Sequence, residues 1–343
     1  MPAPRKGARG SRAPSPGCAA VTRRTRSAGP RPSRNSTRVK RGDACASRRS
    51  GVPAVSRLSQ SLADEDFTLT AELNPPKGTD LAGVLSAAET LKGQVTAFNL
   101  TDSAASRMTM APGALAHLLR DRDIESTLQI AGRDRNRLAI QADMLAASAL
   151  GVENLVCMTG DPPSGGDHPD AKAVFDLGAE DILKAASSLE AGQDLAGNAL
   201  KGRPRFYKGA VANVAVPDLG KEVARMEAKI ASGAQFFQTN AVYEAAGFET
   251  FMQRCEKFEV PVLAGIIVLK SARQARYMTE RIPGVVVPDR LTDALARTSD
   301  TVRTSVRMAG QVIRDVAPMC HGVHIMAIGW ERYIPDVLEA AGR

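Results

Sequence analysis

The chain has few of the residues that would staple it covalently or through a metal. Its 343 residues include five cysteines, Cys18, Cys45, Cys157, Cys255 and Cys320, and no C-x-x-C pair. That excludes a zinc ribbon and a disulfide framework and points to a reducing compartment. His321 and His324 flank the last apolar run but lack the helical spacing or acidic companion of a metal pair, so they read as structural. No run crosses a bilayer: the longest apolar stretch, Val260 to Leu269, is about half a membrane span and fits a buried strand. There is no apolar segment of a secretory signal at the start. Also missing are a G-x-G-x-x-G turn after the first strand, a G-x-x-x-x-G-K-[ST] loop and an acidic ribose clamp, so no Rossmann turn or P-loop holds a nucleotide.

Charge of one sign is concentrated at one end. From Met1 to Val52 twelve Arg and two Lys face a single acid, Asp43, which gives +13; the whole chain carries +8, so the remainder carries −5. This leader is rich in Arg, Ser, Pro, Gly and Ala and poor in large apolar residues, so it buries too little surface to offset the entropy of ordering. Residues 1–54 are therefore expected to be a disordered extension. Three roles suit the composition: an organelle transit peptide, an idiosyncratic extension ahead of a natural start near Val55, and a basic arm for nucleic acid. The body, residues 55–343, is expected in the cytoplasm, or in an organelle matrix if the leader is a transit peptide.

Past Phe67, short apolar runs alternate with amphipathic stretches. The runs predict strands at Phe67–Leu73, Gln94–Leu100, Ser126–Ile130, Asn154–Met158, Phe206–Ala212, Gln235–Thr239, Val260–Val268 and Gly322–Ile328. Helical patterns lie at Leu81–Lys92, Pro112–Arg120, Arg135–Leu150, Ala179–Leu189, Leu219–Ser232, Ala245–Lys257, Ser271–Arg281 and across a long Asp289–Val316 region. Eight strands with intervening helices predict an α/β fold, a TIM (β/α)8 barrel, with an open doubly wound sheet as the competitor.

In a barrel the chemistry sits where strands end. FTLTAELNPPKG (Phe67–Gly78) ends an apolar run in Glu72, and Pro75 and Pro76, which lack backbone donors, stop the strand near Asn74. The second strand ends in Asn99, Thr101 and Asp102, the third in Gln129 with Arg133 close behind, and the fourth in Thr159, Gly160 and Asp161. The fifth gives Asn213, and the sixth Gln238, Thr239 and Asn240. Amides, hydroxyls and carboxylates converging on one mouth suit a polar heteroaromatic ligand. The three main signals have structural alternatives: for Glu72 a helix-entry acid or an edge-strand charge, for the segment around Gly160 and Asp161 an ordinary βα loop, and for Gln238 a buried amide that satisfies the backbone.

The order AELNPPKG, FNLTDSAASRMTM, LQIAGRDRNRLAIQADMLAASALGVENLVCMTGDPP, FFQTNAVYE and GVHIMAIGWE resembles the methylenetetrahydrofolate reductase family from Phe67 to the C-terminus. The resemblance implies a TIM barrel that carries a flavin, usually FAD, with FMN or no tightly bound flavin as variants. It implies reduction of 5,10-methylenetetrahydrofolate to 5-methyltetrahydrofolate with NADH or NADPH as donor. By motif position Glu72 would be the general acid, Asp161 would lie near flavin and pterin, and Gln238 would bond the pterin. Asn99, Gln129, Thr159, Gly160, Asp161, Asn213 and Lys229 would line the cofactor or the reductant, and Arg107, Arg133 and Arg135 would meet phosphates. Where better-known members have aromatics beside the acid this chain has Ala71, Leu73 and Asn74; Gln129 stands for a His and Trp330 for an Arg, as in a divergent branch. The implied partners are a folate, further copies of the chain and an electron-donor subunit, with no membrane and no nucleic acid. Two other readings stand at this point: a flavin-poor reductase fed by another subunit, and a non-enzymatic barrel held to nucleic acid by its leader.

Overall fold

The structure, a computed structural model, describes residues 56–64, 66–282 and 284–343. The expected disordered leader lies outside them. Strands β1 (Thr68–Leu73), β2 (Ala97–Leu100), β3 (Ser126–Ala131), β4 (Asn154–Met158), β5 (Tyr207–Ala212), β6 (Phe236–Ala241), β7 (Val262–Ile267) and β8 (Gly322–Met326) form a closed parallel barrel in sequence order. It closes through the β1–β8 ladder, Thr70 opposite His324. This is the TIM barrel that the alternation predicts.

Around it run α2 (Ala82–Leu91), α3 (Pro112–Arg120), α4 (Arg137–Ala149), α5 (Ala179–Glu190), α6 (Leu219–Ala231), α7 (Ala245–Cys255), α8 (Ala272–Arg281), α9 (Asp289–Arg297), α10 (Thr301–Val316) and α11 (Ile334–Ala340). The long region read from Asp289 to Val316 is two helices. Asp300 breaks it, because its side chain accepts from the Arg303 amide and so starts α10 afresh. The last helix, α11, is one the sequence reading omits. It packs so close to α10 that a Cβ on Gly310 would lie 2.7 Å from that of Ala340.

Strand residues alternate between two cores. Leu73, Phe98, Leu128, Ile130, Leu155 and Phe237 point outward into the sheet–helix layer, with Leu115, Ile140, Ile182, Phe248 and Ile313 from the helices. Ala97, Val156, Tyr207, Phe236 and Leu263 fill the barrel itself. There Tyr207 and Phe236 stack with centroids 4.9 Å apart. Gly209 makes room for them, since a Cβ would come within 2.3 Å of the Phe236 ring.

A short helix, α1 (Arg57–Ala63), closes the barrel from below, and Leu58 and Leu62 join the interior cluster. Its N-terminus is fixed by charge and capping. Ser56 and Ser59 form a reciprocal capping box, and the Glu125 carboxylate accepts from the amides of Arg57 and Leu58 at 2.8 and 2.9 Å. Leu58→Ala is expected to cost about 2–5 kcal/mol, the range for emptying a fully buried leucine site. Chemical denaturation measures this, and a change below about 1 kcal/mol, outside that range, would show that α1 is not a structural floor.

Below the mouth the inward positions mix apolar side chains with Thr70, Asn154 and His324, which are buried, and Glu72, Asn99, Gln129 and Gln238 stand higher, toward the C-terminal mouth. The ladders place Glu72 beside Asn99, Asn99 beside Thr127, Gln129 beside Val156 and Gln238 beside Val211. A register shift between Gln238 and Ala241 bulges β6 at the mouth. Gly265 of β7 admits the bulge, because a Cβ there would meet the Thr239 carbonyl at 2.3 Å.

Candidate active site

Glu72 sits half-buried on β1, just inside the mouth. Burial pushes its carboxyl from an ordinary 4.5 up to about 7; the Asn74 amide opposes this, and the Glu331 carboxylate adds to it. The Asn74 side chain bridges the first two strand ends. It accepts from the Thr101 hydroxyl at 2.9 Å and donates to Glu72 Oε1 at 3.5 Å. A carboxyl that is protonated near neutral pH can donate a proton as well as accept one.

Deeper in the same layer the Asn99 amide donates to Gln238 Oε1 at 2.9 Å. Both residues are almost fully buried, at 1% and 3% exposure, yet Asn99 Oδ1 and Gln238 Nε2 have no hydrogen-bond partner among the described residues. The bonded amide pair therefore carries one unused acceptor and one unused donor below the mouth. Gln129 accepts weakly from the Asp102 amide at 3.4 Å.

Loops roof one side of the mouth. The loop after β2 holds three L-residues at left-handed φ, Ser103 (52°), Ala105 (51°) and Ser106 (56°), which is backbone strain beside a site. The Ser106 hydroxyl bonds the carbonyls of Asp161 and Pro162 at 2.8 and 3.1 Å, tying this loop to the one after β4. Farther along, Asp167 pairs with Lys77 from the loop after β1 and accepts from the Met108 amide at 2.9 Å. Lys77, His168 and that amide hold its carboxyl well below the usual carboxylate range. Gly160, at φ +89°, turns the chain where a Cβ would sit 3.1–3.2 Å from the Cβ atoms of Arg133 and Ala131.

The sequence-predicted residues fall into three groups. Glu72, Asn99, Gln129 and Gln238 share the inner layer. Thr159, Gly160 and Asp161 form the rim beside β4, where the Thr159 hydroxyl accepts from the first amide of α5 at 3.3 Å and the Asp161 side chain is exposed. Asn213 is engaged elsewhere on the rim: its Oδ1 accepts from Asn240 at 2.6 Å and from Ala215 N at 3.1 Å. Lys229 does not join them. It lies on α6 behind β5, where its ammonium donates to the Val211 carbonyl at 2.7 Å and burial lowers its pKa.

The arginines proposed for phosphates divide as well. Arg133 is 3% exposed and bonds Asp134 Oδ2 at 2.6 Å and the Ser106 hydroxyl at 3.1 Å. Arg135 spans Asp102 and, at 2.8 Å, Asp143. Both brace loops, and Arg107 remains exposed. On the β7–β8 side, Lys270 bonds the Ile328 carbonyl and lies 6.0 Å from the Trp330 ring centroid, while Glu331 accepts from the Gly329 amide at 2.6 Å. Sequence reasoning passed over Lys270 and Glu331, although Lys270 directly follows the longest apolar run. His324, discounted as a metal ligand, is buried against the Thr70 hydroxyl at 3.0 Å, and burial lowers its pKa to about 4. Among the described residues no cluster of three His, Cys, Asp or Glu could hold a metal, and no helix is long and apolar enough to cross a membrane.

Comparison with known proteins adds independent evidence. One curated relative, "Methylenetetrahydrofolate reductase 2" of Schizosaccharomyces pombe, is 24% identical over 237 residues, which is 64% of this chain and 36% of the relative. The chain thus spans about a third of that relative's length. Similar solved structures include a 2,3-dimethylmalate lyase (12% identity, 85% of this chain and 88% of that one, TM-score 0.47). Another is a phosphonopyruvate hydrolase in complex with oxalate and Mg++ (11% identity, 83% of each chain, TM-score 0.47). At that level of likeness nothing of their chemistry transfers. The sequence model described as methylenetetrahydrofolate reductase matches residues 57–342, all of the barrel and its floor helix, and the chain belongs to that family.

Proposed function

We propose that this chain is a flavin-dependent reductase of 5,10-methylenetetrahydrofolate, with Glu72 as its general acid. The observation that carries the assignment is a carboxyl raised to about 7 just inside a polar barrel mouth in a chain of this family. Opening the methylene bridge leaves electron density on a ring nitrogen, and an acid that keeps its proton near neutral pH supplies the proton there. Asn74 and the neighbouring Glu331 orient and tune that carboxyl.

The residues present fit a flavin and a pterin, both heterocycles with alternating donors and acceptors. Asn99 Oδ1 and Gln238 Nε2 are a free acceptor and a free donor under the mouth, reached after a side-chain rotation because both atoms are sealed from solvent. Gln129 and the bare Gly160 turn offer an amide and a close backbone approach on the β3–β4 side. Of the cations the sequence singles out, Arg107 is exposed and has no ion pair among the described residues, which suits a phosphate, whereas Arg133, Arg135 and Lys229 serve the scaffold. A bound flavin would supply the hydride; the protein supplies position, charge and the proton. FAD with NADH or NADPH as donor is the expected set.

The test is an anaerobic titration of the purified full chain with 5-methyltetrahydrofolate, following visible absorbance. Bleaching of a bound flavin is the expected result and shows that flavin and folate meet in one site. A yellow protein that keeps its colour overturns the folate assignment, and a colourless protein overturns tight flavin binding.

A further inference from the structure

Three loops at the mouth meet at one hydroxyl, that of Ser106 in the loop after β2. Its Oγ lies 2.8 Å from the Asp161 carbonyl and 3.1 Å from that of Pro162, both in the loop after β4, and 3.1 Å from Nη1 of Arg133 in the loop after β3. A hydroxyl has one proton to give, so the two carbonyls share it in a three-centre bond while an oxygen lone pair accepts from the guanidinium. Arg133 is itself buried and bonds Asp134 Oδ2 at 2.6 Å. A fixed cation therefore braces the tie.

The backbone is bent to make this contact. Ser106 sits at φ +56°, and Ser103 and Ala105 just before it are left-handed too, a conformation that L-residues keep only where their surroundings impose it. The facing loop is fitted to the bend: a Cβ on Gly166 would lie 1.9 Å from the Ser106 carbonyl oxygen, so only glycine lets the two chains approach this closely. Asp161 stands between these fixed points. Gly160 turns the chain before it at φ +89°, and Pro162 and Pro163 stiffen the chain after it. Its carboxylate is exposed and makes no hydrogen bond or ion pair among the described residues.

A turn held by its carbonyls while its side chain stays free is a means of aiming that side chain. Resting on the folate reading above, in which Asp161 lies beside the pterin and the flavin, we infer that Ser106 is a positioning residue: its hydroxyl fixes the Asp161 turn so that the carboxylate faces the ligand, and the left-handed backbone around it is kept for that contact. Asp167, farther along, joins the same two loops through the Met108 amide at 2.9 Å and pairs with Lys77, but it bonds no atom of the Asp161 turn. Loop closure alone therefore does not require the Ser106 hydroxyl.

The test is a double-mutant cycle on the full chain, with Ser106→Gly, Asp161→Ala and the two combined, read by calorimetric titration of 5-methyltetrahydrofolate and by melting temperature. Glycine removes the hydroxyl but takes the left-handed backbone without strain, so Ser106→Gly is expected to melt near the wild type. Its affinity is expected to fall about three- to tenfold, the range of one neutral hydrogen bond. In the Asp161→Ala background the same change is expected to alter affinity by less than about twofold, because Ser106 acts through Asp161. Unchanged affinity in Ser106→Gly overturns the inference, and so do equal losses in the two backgrounds, which would give Ser106 a ligand contact of its own. A loss of affinity that comes with a large drop in melting temperature makes the tie structural and overturns it as well. If Asp161→Ala binds as the wild type does, Asp161 is not at the folate, and the inference falls while the folate reading stands. If the wild type binds no folate, the folate reading falls and takes this inference with it.

Discussion

Glu72→Gln is expected to lower reduction of methylenetetrahydrofolate by about 10²–10⁴-fold, the usual contribution of a positioned general acid, while the barrel stays folded. Glutamine keeps the size of the side chain and can still face Asn74, but it has no proton to give. In the wild type the acid is half protonated near pH 7, so turnover should fall as pH rises above that value, and the residual rate of the variant should lose that limb. A variant with full activity would remove Glu72 from the mechanism.

The same substitution has a stability signature of opposite sign. The carboxyl titrates near 4.5 when unfolded and near 7 when folded. The folded state therefore holds the proton more tightly. The resulting stabilisation is complete below about pH 4.5 and is lost as pH rises through 7. At pH 8 the wild type carries the cost of a buried carboxylate, and Glu72→Gln should be the more stable protein by up to about 3 kcal/mol; at pH 4 the two should match. Urea denaturation at both pH values reads the difference. Loss of activity together with gain of stability is the mark of a group kept for chemistry, because a purely structural acid would lose stability when replaced.

The second large effect concerns the buried amide pair. Gln238→Met leaves the Asn99 amide without its acceptor and is expected to cost about 1–3 kcal/mol, the penalty for a stranded buried donor. Asn99→Leu/Gln238→Met removes both partners together and should recover most of that loss. If the pair existed only to satisfy itself, the double variant would also bind folate and flavin normally. The expectation is the reverse: affinity for 5-methyltetrahydrofolate about 10–100-fold weaker, the equivalent of one or two hydrogen bonds to a buried polar group, in a protein of near wild-type melting temperature. Tight binding by the double variant would show that Asn99 Oδ1 and Gln238 Nε2 are structural orphans.

Much of this molecule is legible along the chain. Apolar runs with both faces buried mark the eight strands, and Pro75 with Pro76 end the first one just past Glu72. The N-capping Asp300 was legible too, but a continuous amphipathic pattern hid the break between α9 and α10. Strand parity alone sends Glu72 and Gln238 inward, since neighbours along a strand face opposite ways.

Partnership was not legible, because it depends on which strands become neighbours when the barrel closes. Only closure brings Asn99 to Gln238 across 139 positions of sequence, and sets Glu331 close enough to raise the pKa of Glu72. The arginines show the limit most clearly. Arg133, Arg135, Arg273 and Arg276 look alike in the sequence, each placed soon after a strand. Folding surrounds the first two with Asp134, Asp102 and Asp143 and leaves the other two facing an open cavity. Sequence determined the barrel and the face each side chain takes, since both follow from local periodicity. Tertiary structure decided which charges are neutralised and which are left open to solvent, since compensation is a property of the residues that meet in space.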